Sequence, residues 1–212
     1  MSLSLRPGVS FCVSGDRAVF LDRERDRYVG LDPLRTRHLL AGRVEFLGDL
    51  LDRGLVEQRD GAPPPRPCEV WIAVRDLDAD PLPRARMSDL PLVFAAVFDA
   101  WLSLRVKPLE AILSARKRRH AETRSSPAQI QVEALARRFA ACRPLLPVSS
   151  ICLLDSLALC TFLAWRGAGA TLVFGVDMPP FTAHAWVQAE DCVLNDAFER
   201  TAIYEPILAI DL

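Results

Sequence analysis

Short, mainly apolar runs recur near the start of the chain, Val9 to Val13, Ala18 to Asp22 and Arg27 to Leu31, each set off by polar turn residues. Runs of this length, rich in Val and aromatic residues and bounded by turn residues, each predict a strand. Ser14-Gly15-Asp16 and the charged tip Arg23 to Asp26 supply the turns between them. After Pro33 the pattern becomes helical. Thr36 to Leu40 carries one apolar turn, and Phe46, Leu47, Leu50, Leu51 and Leu55 recur at helical spacing, with Gly54 as the stop. Three strands followed by helices predict a small winged-helix-like unit. Residues 61–67, Gly-Ala-Pro-Pro-Pro-Arg-Pro, lack amide donors at their prolines and read as a stiff linker. The expected organisation is one domain over residues 1–60, the linker, and a second domain over residues 68–212.

In the second part, Leu90 to Ile112 is apolar at helical spacing with a break at Pro108, and it leads into the basic run Arg116-Lys117-Arg118-Arg119-His120. Cations in a last helical turn interact well with the helix dipole and face water; a phosphate or peptide site is the other reading of the run. A helix from Ala128 to Ala141 is expected after Ser126 as cap and Pro127 at its first position. A further helix, Leu153 to Trp165, is closed by Gly167. Three strands follow, Thr171 to Val176, Thr182 to Gln188 and Cys192 to Ala197, with turns at Asp177 to Pro180 and at Glu190. Helices and strands in separate runs give an α+β fold class.

A length of 212 residues suits one or two domains, and a half-apolar, quarter-charged composition is that of a globular chain. With 26 basic and 27 acidic residues there is no field to attract a polyanion, so nucleic acid is not an expected partner. The six cysteines, at 12, 68, 142, 152, 160 and 192, show neither zinc-type pairs nor the density of a disulfide scaffold. Reduced thiols in a cytoplasm are expected. Met1 to Val13 has no secretion-type apolar stretch, and Leu90 to Leu104 is too short to span a bilayer and contains Asp99, so no membrane insertion is expected.

The chemistry concentrates between Pro147 and Asp196. With Ser150 as the helix cap, Cys152 lies in the first helical turn, where unpaired amides and the positive end of the dipole lower a thiol pKa. His184 and Asp196 fall on adjacent expected strands, and a register setting them directly opposite puts both on one face. A carboxylate on one imidazole nitrogen fixes the tautomer and leaves the other nitrogen for a thiol proton. Each residue also has a plainer reading: a buried thiol, a structural strand histidine, an Asn195-Asp196 turn. A metal site built from Cys152, Cys160, His184 and Cys192 is a further alternative, though it lacks close ligand pairs. Cys160, two helical turns after Cys152, is read as core, and Trp186 as a possible shield of the site or as packing.

Cys152-Leu153-Leu154-Asp155-Ser156-Leu157-Ala158-Leu159, Gly175-Val176, Pro180-Phe181-Thr182-Ala183-His184-Ala185-Trp186-Val187 and Asn195-Asp196 together resemble the lasso-peptide B-protein peptidases, which are transglutaminase-like, papain-like cysteine enzymes. The resemblance implies Cys152 as nucleophile, His184 as base and Asp196 as orienter. Residues 21 to 31, Leu-Asp-Arg-Glu-Arg-Asp-Arg-Tyr-Val-Gly-Leu, are similar to the strand-turn-strand of peptide-recognition elements of the pyrroloquinoline-quinone-chaperone type. Such elements bind a leader peptide as an added strand against the last helix, which implies a groove made of Tyr28, Val29, Gly30, Leu31, Phe46, Leu47, Leu50 and Leu51. The similarity covers about residues 1 to 60 and 147 to 200.

The implied activity is cleavage of the leader from a ribosomally made precursor, freeing the core amine for a separate, asparagine-synthetase-like cyclase. No covalent cofactor or metal is implied. Some members of the family need ATP for efficient cleavage, and the chain has no Gly-rich Lys-Ser/Thr phosphate loop. Two other functions remain open at this point: a transglutaminase or amidase passing the same thioester to an amine, and a precursor-binding chaperone in which Cys152 is incidental.

Overall fold

The three predicted strands form a three-stranded antiparallel sheet. The computed structural model describes residues 3–43, 48–59, 61, 63–71, 73–77, 83–122 and 129–212. It begins with β1 (Leu3–Leu5), β2 (Val9–Ser14), β3 (Arg17–Asp22) and β4 (Arg27–Gly30), followed by α1 (Pro33–Leu40), α2 (Gly48–Asp52) and β5 (Val56–Gln58). After these come β6 (Arg75–Asp76), α3 (Leu90–Val106), α4 (Leu109–Glu122), α5 (Gln129–Cys142), a 3-10 turn (Arg143–Leu145), α6 (Cys152–Ala164), β7 (Thr171–Asp177), β8 (Thr182–Ala189), β9 (Cys192–Val193), α7 (Phe198–Thr201) and β10 (Glu205–Asp211). The chain divides into two compact units, one of residues 1–70, 175–183 and 204–208, the other of residues 71–174, 184–203 and 209–212.

In the first unit β2, β3 and β4 pair in chain order, with Phe11 opposite Phe20 and Phe20 opposite Val29. Phe11 and Phe20 are fully buried and stack 5.1 Å apart, at the centre of a core that takes in Leu31, Leu39, Leu50 and Leu55. Asp22, at the end of β3, is buried and ion-paired to Arg6 at 2.7 Å, Arg25 at 3.1 Å and Arg27 at 3.4 Å. Burial pushes its carboxyl up, but the Arg25 hydrogen bonds and the flanking guanidinium charges outweigh that and hold it below its ordinary value. Helix α1 starts three residues before the expected Thr36, because the Asp32 side chain accepts the Arg35 N–H at 3.0 Å and Pro33 occupies the first position. Thr36 instead closes β3, its hydroxyl accepting the Ala18 N–H at 2.8 Å. Gly54 follows α2 at φ +65, a left-handed conformation that suits glycine, and Leu55 N–H returns to Leu50 O at 2.9 Å. Strands β1 and β5, three residues each, pair antiparallel with Leu3 opposite Gln58. Neither is long enough to display a period.

In the second unit α6 packs against α3 and α5. Its buried residues run almost around the helix, Leu154, Leu157, Leu159 and Phe162 among them, as expected of a core helix. Pro108 separates α3 from α4: Lys107, the residue before it, is extended at φ -130, ψ 143. The Ser126-Pro127 start expected for α5 lies outside the described residues. The buried Asp89 carboxylate, at the start of α3, receives Arg138 Nε from α5 and Arg166 from the end of α6, each at 2.7 Å. Lys117, Arg118 and Arg119 of the basic run are exposed, as expected, and Arg116 is the exception. It is turned inward at 12% side-chain exposure, pairs with Asp99 at 2.9 Å and donates to Leu157 O and Thr161 Oγ1 of α6. The large sheet has the order β10-β7-β8-β9-β6. No cysteine is in a disulfide. Among the described residues no helix is long and apolar enough to cross a membrane.

Candidate active site

Cys152 is the first residue of α6, one residue nearer the dipole end than Ser150 as cap would make it. The N-cap is Ile151, which makes no side-chain cap bond and is half exposed beside the cysteine. Ser150 is not the cap because its hydroxyl is engaged by the Asp155 carboxylate. The other Asp155 oxygen takes Arg143 Nε at 2.7 Å, and the same guanidinium donates to Val148 O at 3.0 Å and Ser149 O at 3.2 Å. Arg143 thus fixes the loop that delivers Cys152, and it neutralises a carboxylate that would otherwise oppose a thiolate in the same helical turn. Nothing in its sequence surroundings marks that role.

His184 lies on β8 and Asp196 beyond β9, and His184 Nε2 meets Asp196 Oδ2 at 2.6 Å. The register differs from the one expected. Strand β9 pairs Gln188 with Val193 and Ala189 with Cys192, and continuing that ladder would set His184 opposite Ala197. The ladder stops at Val193 instead, and the expected strand to Ala197 is not formed. Leu194 N–H still reaches Val187 O at 2.8 Å, but the next partner of β8 is the Asn195 side chain, whose Oδ1 accepts the Val187 N–H at 2.8 Å. Release from the ladder lets Asp196 turn onto the imidazole. Its other oxygen accepts the Ala197 N–H at 2.8 Å, and Arg200 lies 3.4 Å away.

With Nε2 taken by Asp196, Nδ1 is the ring nitrogen left to face the Cys152 thiol. That hydrogen bond is the main cause lowering the Cys152 pKa below its ordinary 9.0; burial opposes it, and the Ala185 and Leu153 backbone N–H groups assist it. The His184 pKa is raised to about 9, first by the Asp196 hydrogen bond and then by Cys152. Burial pushes the Asp196 carboxyl up, but the His184 hydrogen bond and the Ala197 N–H outweigh it and the net direction is down. All three shifts favour a thiolate-imidazolium pair backed by a carboxylate, a nucleophile beside a held proton donor. The Trp186 ring stacks on His184 at 6.1 Å, is almost fully buried, and donates its indole N–H to Gln188 Oε1 at 3.2 Å.

Cys160 and Cys192 lie apart from this group as buried thiols, and burial pushes both pKa values up, that of Cys192 to about 11. Among the described residues no three His, Cys, Asp or Glu side chains converge as a metal-binding group. Of the residues expected to line a peptide groove, Leu31 and Leu50 belong to the first unit's own core. Tyr28, Val29 and Leu51 are partly exposed and Gly30 is exposed. Tyr28 packs its ring 5.2 Å from Phe181. Phe46 and Leu47 lie outside the described residues.

No curated protein and no solved structure matches the chain. The family model described as the transglutaminase-like superfamily matches residues 94–209, more than half of the chain, and spans Cys152, His184 and Asp196. A helix-opening cysteine, a strand histidine and a carboxylate meeting in that matched region are the arrangement such a fold serves to build, and the chain belongs to the transglutaminase-like superfamily.

Proposed function

We propose that the protein is a cytoplasmic cysteine peptidase that binds the leader of a ribosomally made lasso-peptide precursor and cuts it from the core. The observation that carries the reading is the Cys152-His184-Asp196 constellation with its lowered thiol and raised imidazole pKa. The Cys152 thiolate attacks the scissile carbonyl carbon, and the amides at the start of α6 stabilise the oxyanion. The C–N bond then breaks, and the core amine leaves with the proton from His184 Nδ1, so a leader thioester remains. Water adds to the thioester as His184 takes its proton, and the leader departs as an acid with the thiolate restored. The freed amine is the group that an asparagine-synthetase-like cyclase would join to an acidic side chain of the core. No step here passes through ATP, a requirement that the resemblance adds for some members.

Recognition is assigned to residues 1–60, with residues 61–67 as linker and residues 68–212 as peptidase domain, the first being a winged-helix-like element. Support comes from β4, the last strand of its sheet, with no strand on its other side among the described residues. A leader strand added there would gain backbone bonds and meet Tyr28, Val29, Gly30 and Leu51. Superfamily membership favours a second reading, transfer of the thioester to an amine, with the same first step.

The test is mass analysis of the precursor peptide encoded beside the gene after incubation with the protein, ATP and the candidate cyclase. One cut that is lost in Cys152→Ala is expected. Intact precursor bound by the wild type overturns the peptidase in favour of a delivery role, and an amine adduct in place of the free acid identifies acyl transfer.

A further inference from the structure

Ser156 is fully buried in the apolar α6, one helical turn after Cys152 and on the same face. A hydroxyl there needs partners, since a buried polar group left unsatisfied loses its hydration without return. It has two. Ser156 Oγ donates to Ala185 O at 3.1 Å and accepts from Asn195 Nδ2 at 2.9 Å, while Asn195 Oδ1 takes the Val187 N–H. The order of donors has one solution. Val187 N–H can only donate, so Oδ1 must face it; Nδ2 is thereby aimed at Ser156, whose own proton is left for the Ala185 carbonyl. Ala185 is the neighbour of His184 and its N–H reaches the Cys152 sulfur; Asn195 is the neighbour of Asp196. One side chain on the nucleophile's own helix therefore holds the residues flanking both other members of the triad.

We propose that Ser156 and Asn195 form a single positioning clamp that sets the His184 and Asp196 backbones against the helix bearing Cys152. The clamp rests on the triad reading given above. It also accounts for the end of β9: Asn195 replaces a ladder residue with a side-chain amide, so the sheet stays attached to α6 while the next residue is free to turn to His184. Neither clamp residue touches the reacting atoms, so both act through the backbones they hold.

The experiment follows alkylation of Cys152 by iodoacetamide across pH, with the modified cysteine identified by peptide mass, in the full chain. Ser156→Ala and Asn195→Asp are compared with the wild type and with Thr161→Val, which removes another buried hydroxyl of α6 bonded to Leu157 O and Arg116. Asn195→Asp keeps the acceptor for Val187 and removes the donor to Ser156; because its carboxylate also adds a charge that raises a nearby thiol pKa, the neutral Asn195→Ala is measured beside it and must show the same shift. All three clamp variants are expected to move the Cys152 midpoint up toward 9.0, slowing alkylation at pH 7 about tenfold for each unit. The double variant should be no worse than the more impaired single one. Thr161→Val should lower Tm without moving the midpoint. A depressed wild-type midpoint that either Asn195 variant leaves in place overturns the clamp alone, as do losses that multiply in the double variant. An ordinary wild-type midpoint overturns the triad reading and the clamp with it. Should Ser156→Ala not fold, the two Asn195 variants, at a partly exposed position, decide the matter.

Discussion

His184 sets the pH behaviour of the site. Its pKa is raised to about 9, chiefly by Asp196, so its share of stability is fully present below the ordinary 6.5 and is lost as pH rises through about 9. The Cys152 pKa is lowered, so the reactive ion pair forms as pH rises through that lowered value and disappears above about 9. A rate profile for a cysteine-dependent reaction of this protein should therefore have its alkaline limb near pH 9. Asp196→Asn removes the charge that holds the imidazole proton. It should bring that limb down toward 6.5 and slow turnover by about 10²- to 10⁴-fold, while the protein still unfolds cooperatively. The three residues that meet at the site could be read from the chain because each is an unusual residue type at a telling place: a cysteine opening an apolar helix, a histidine on a strand and an aspartate just past the next strand. Arg143, Ser156 and Asn195 could not, since an arginine after a helix, a serine within one and an asparagine in a turn are common for many reasons. The one available hint was Ser156, a polar residue in an apolar run, which demands a partner without naming it.

At the scale of elements, the helix that carries Cys152 is held by its two ends. The N-terminal end is fixed through Arg143 and Asp155, and the C-terminal end by Arg166 on Asp89, which also receives Arg138 from α5. The Arg138 hydrogen bond is the first cause holding the Asp89 carboxyl below its ordinary value, and this outweighs burial. The associated stability is present above pH 3.8 and is lost as pH falls through the depressed value. Asp89→Asn strands two guanidinium groups on a neutral amide and should cost about 3 kcal/mol in denaturant unfolding at pH 7. The difference from wild type should shrink as acid protonates the native carboxylate. Long elements such as α3, α5 and α6 were legible because apolar period and stop signals agree over many residues. Short ones were not: β1, β5 and β6 have two or three residues each, and β9 ends after two where a strand of six, Cys192 to Ala197, is expected after the turn at Glu190. A short strand is defined by its partner, and pairing partners are remote in sequence.

For the whole molecule, the proposed division of labour separates binding from chemistry. Leu31 N–H donates to Ala18 O at 2.8 Å, toward β3, so the N–H of the preceding residue, Gly30, points to the open side of β4. Gly30→Pro removes that outward donor without taking a bond from the ladder, and a proline is tolerated on such an edge. It should raise KM for precursor about three- to tenfold, the worth of one net hydrogen bond, and leave kcat unchanged. Equal losses in both constants would place β4 outside recognition. The sequence by itself determined the longer helices and the strands β2, β3, β4, β7 and β8, though not the seven-residue β10, together with the proline break between α3 and α4 and the order of cysteine, histidine and aspartate along the chain. These follow from local sterics and from which faces must be buried, and both are written in consecutive residues. Only the tertiary structure decided that Ile151 rather than Ser150 caps α6, that Arg116 turns inward, that β9 stops so Asp196 can reach His184, and that Ser156 and Asn195 meet. Each of these turns on a polar group finding its partner across the fold, at separations of up to 45 residues, and a hydrogen bond between remote residues leaves no period in the chain.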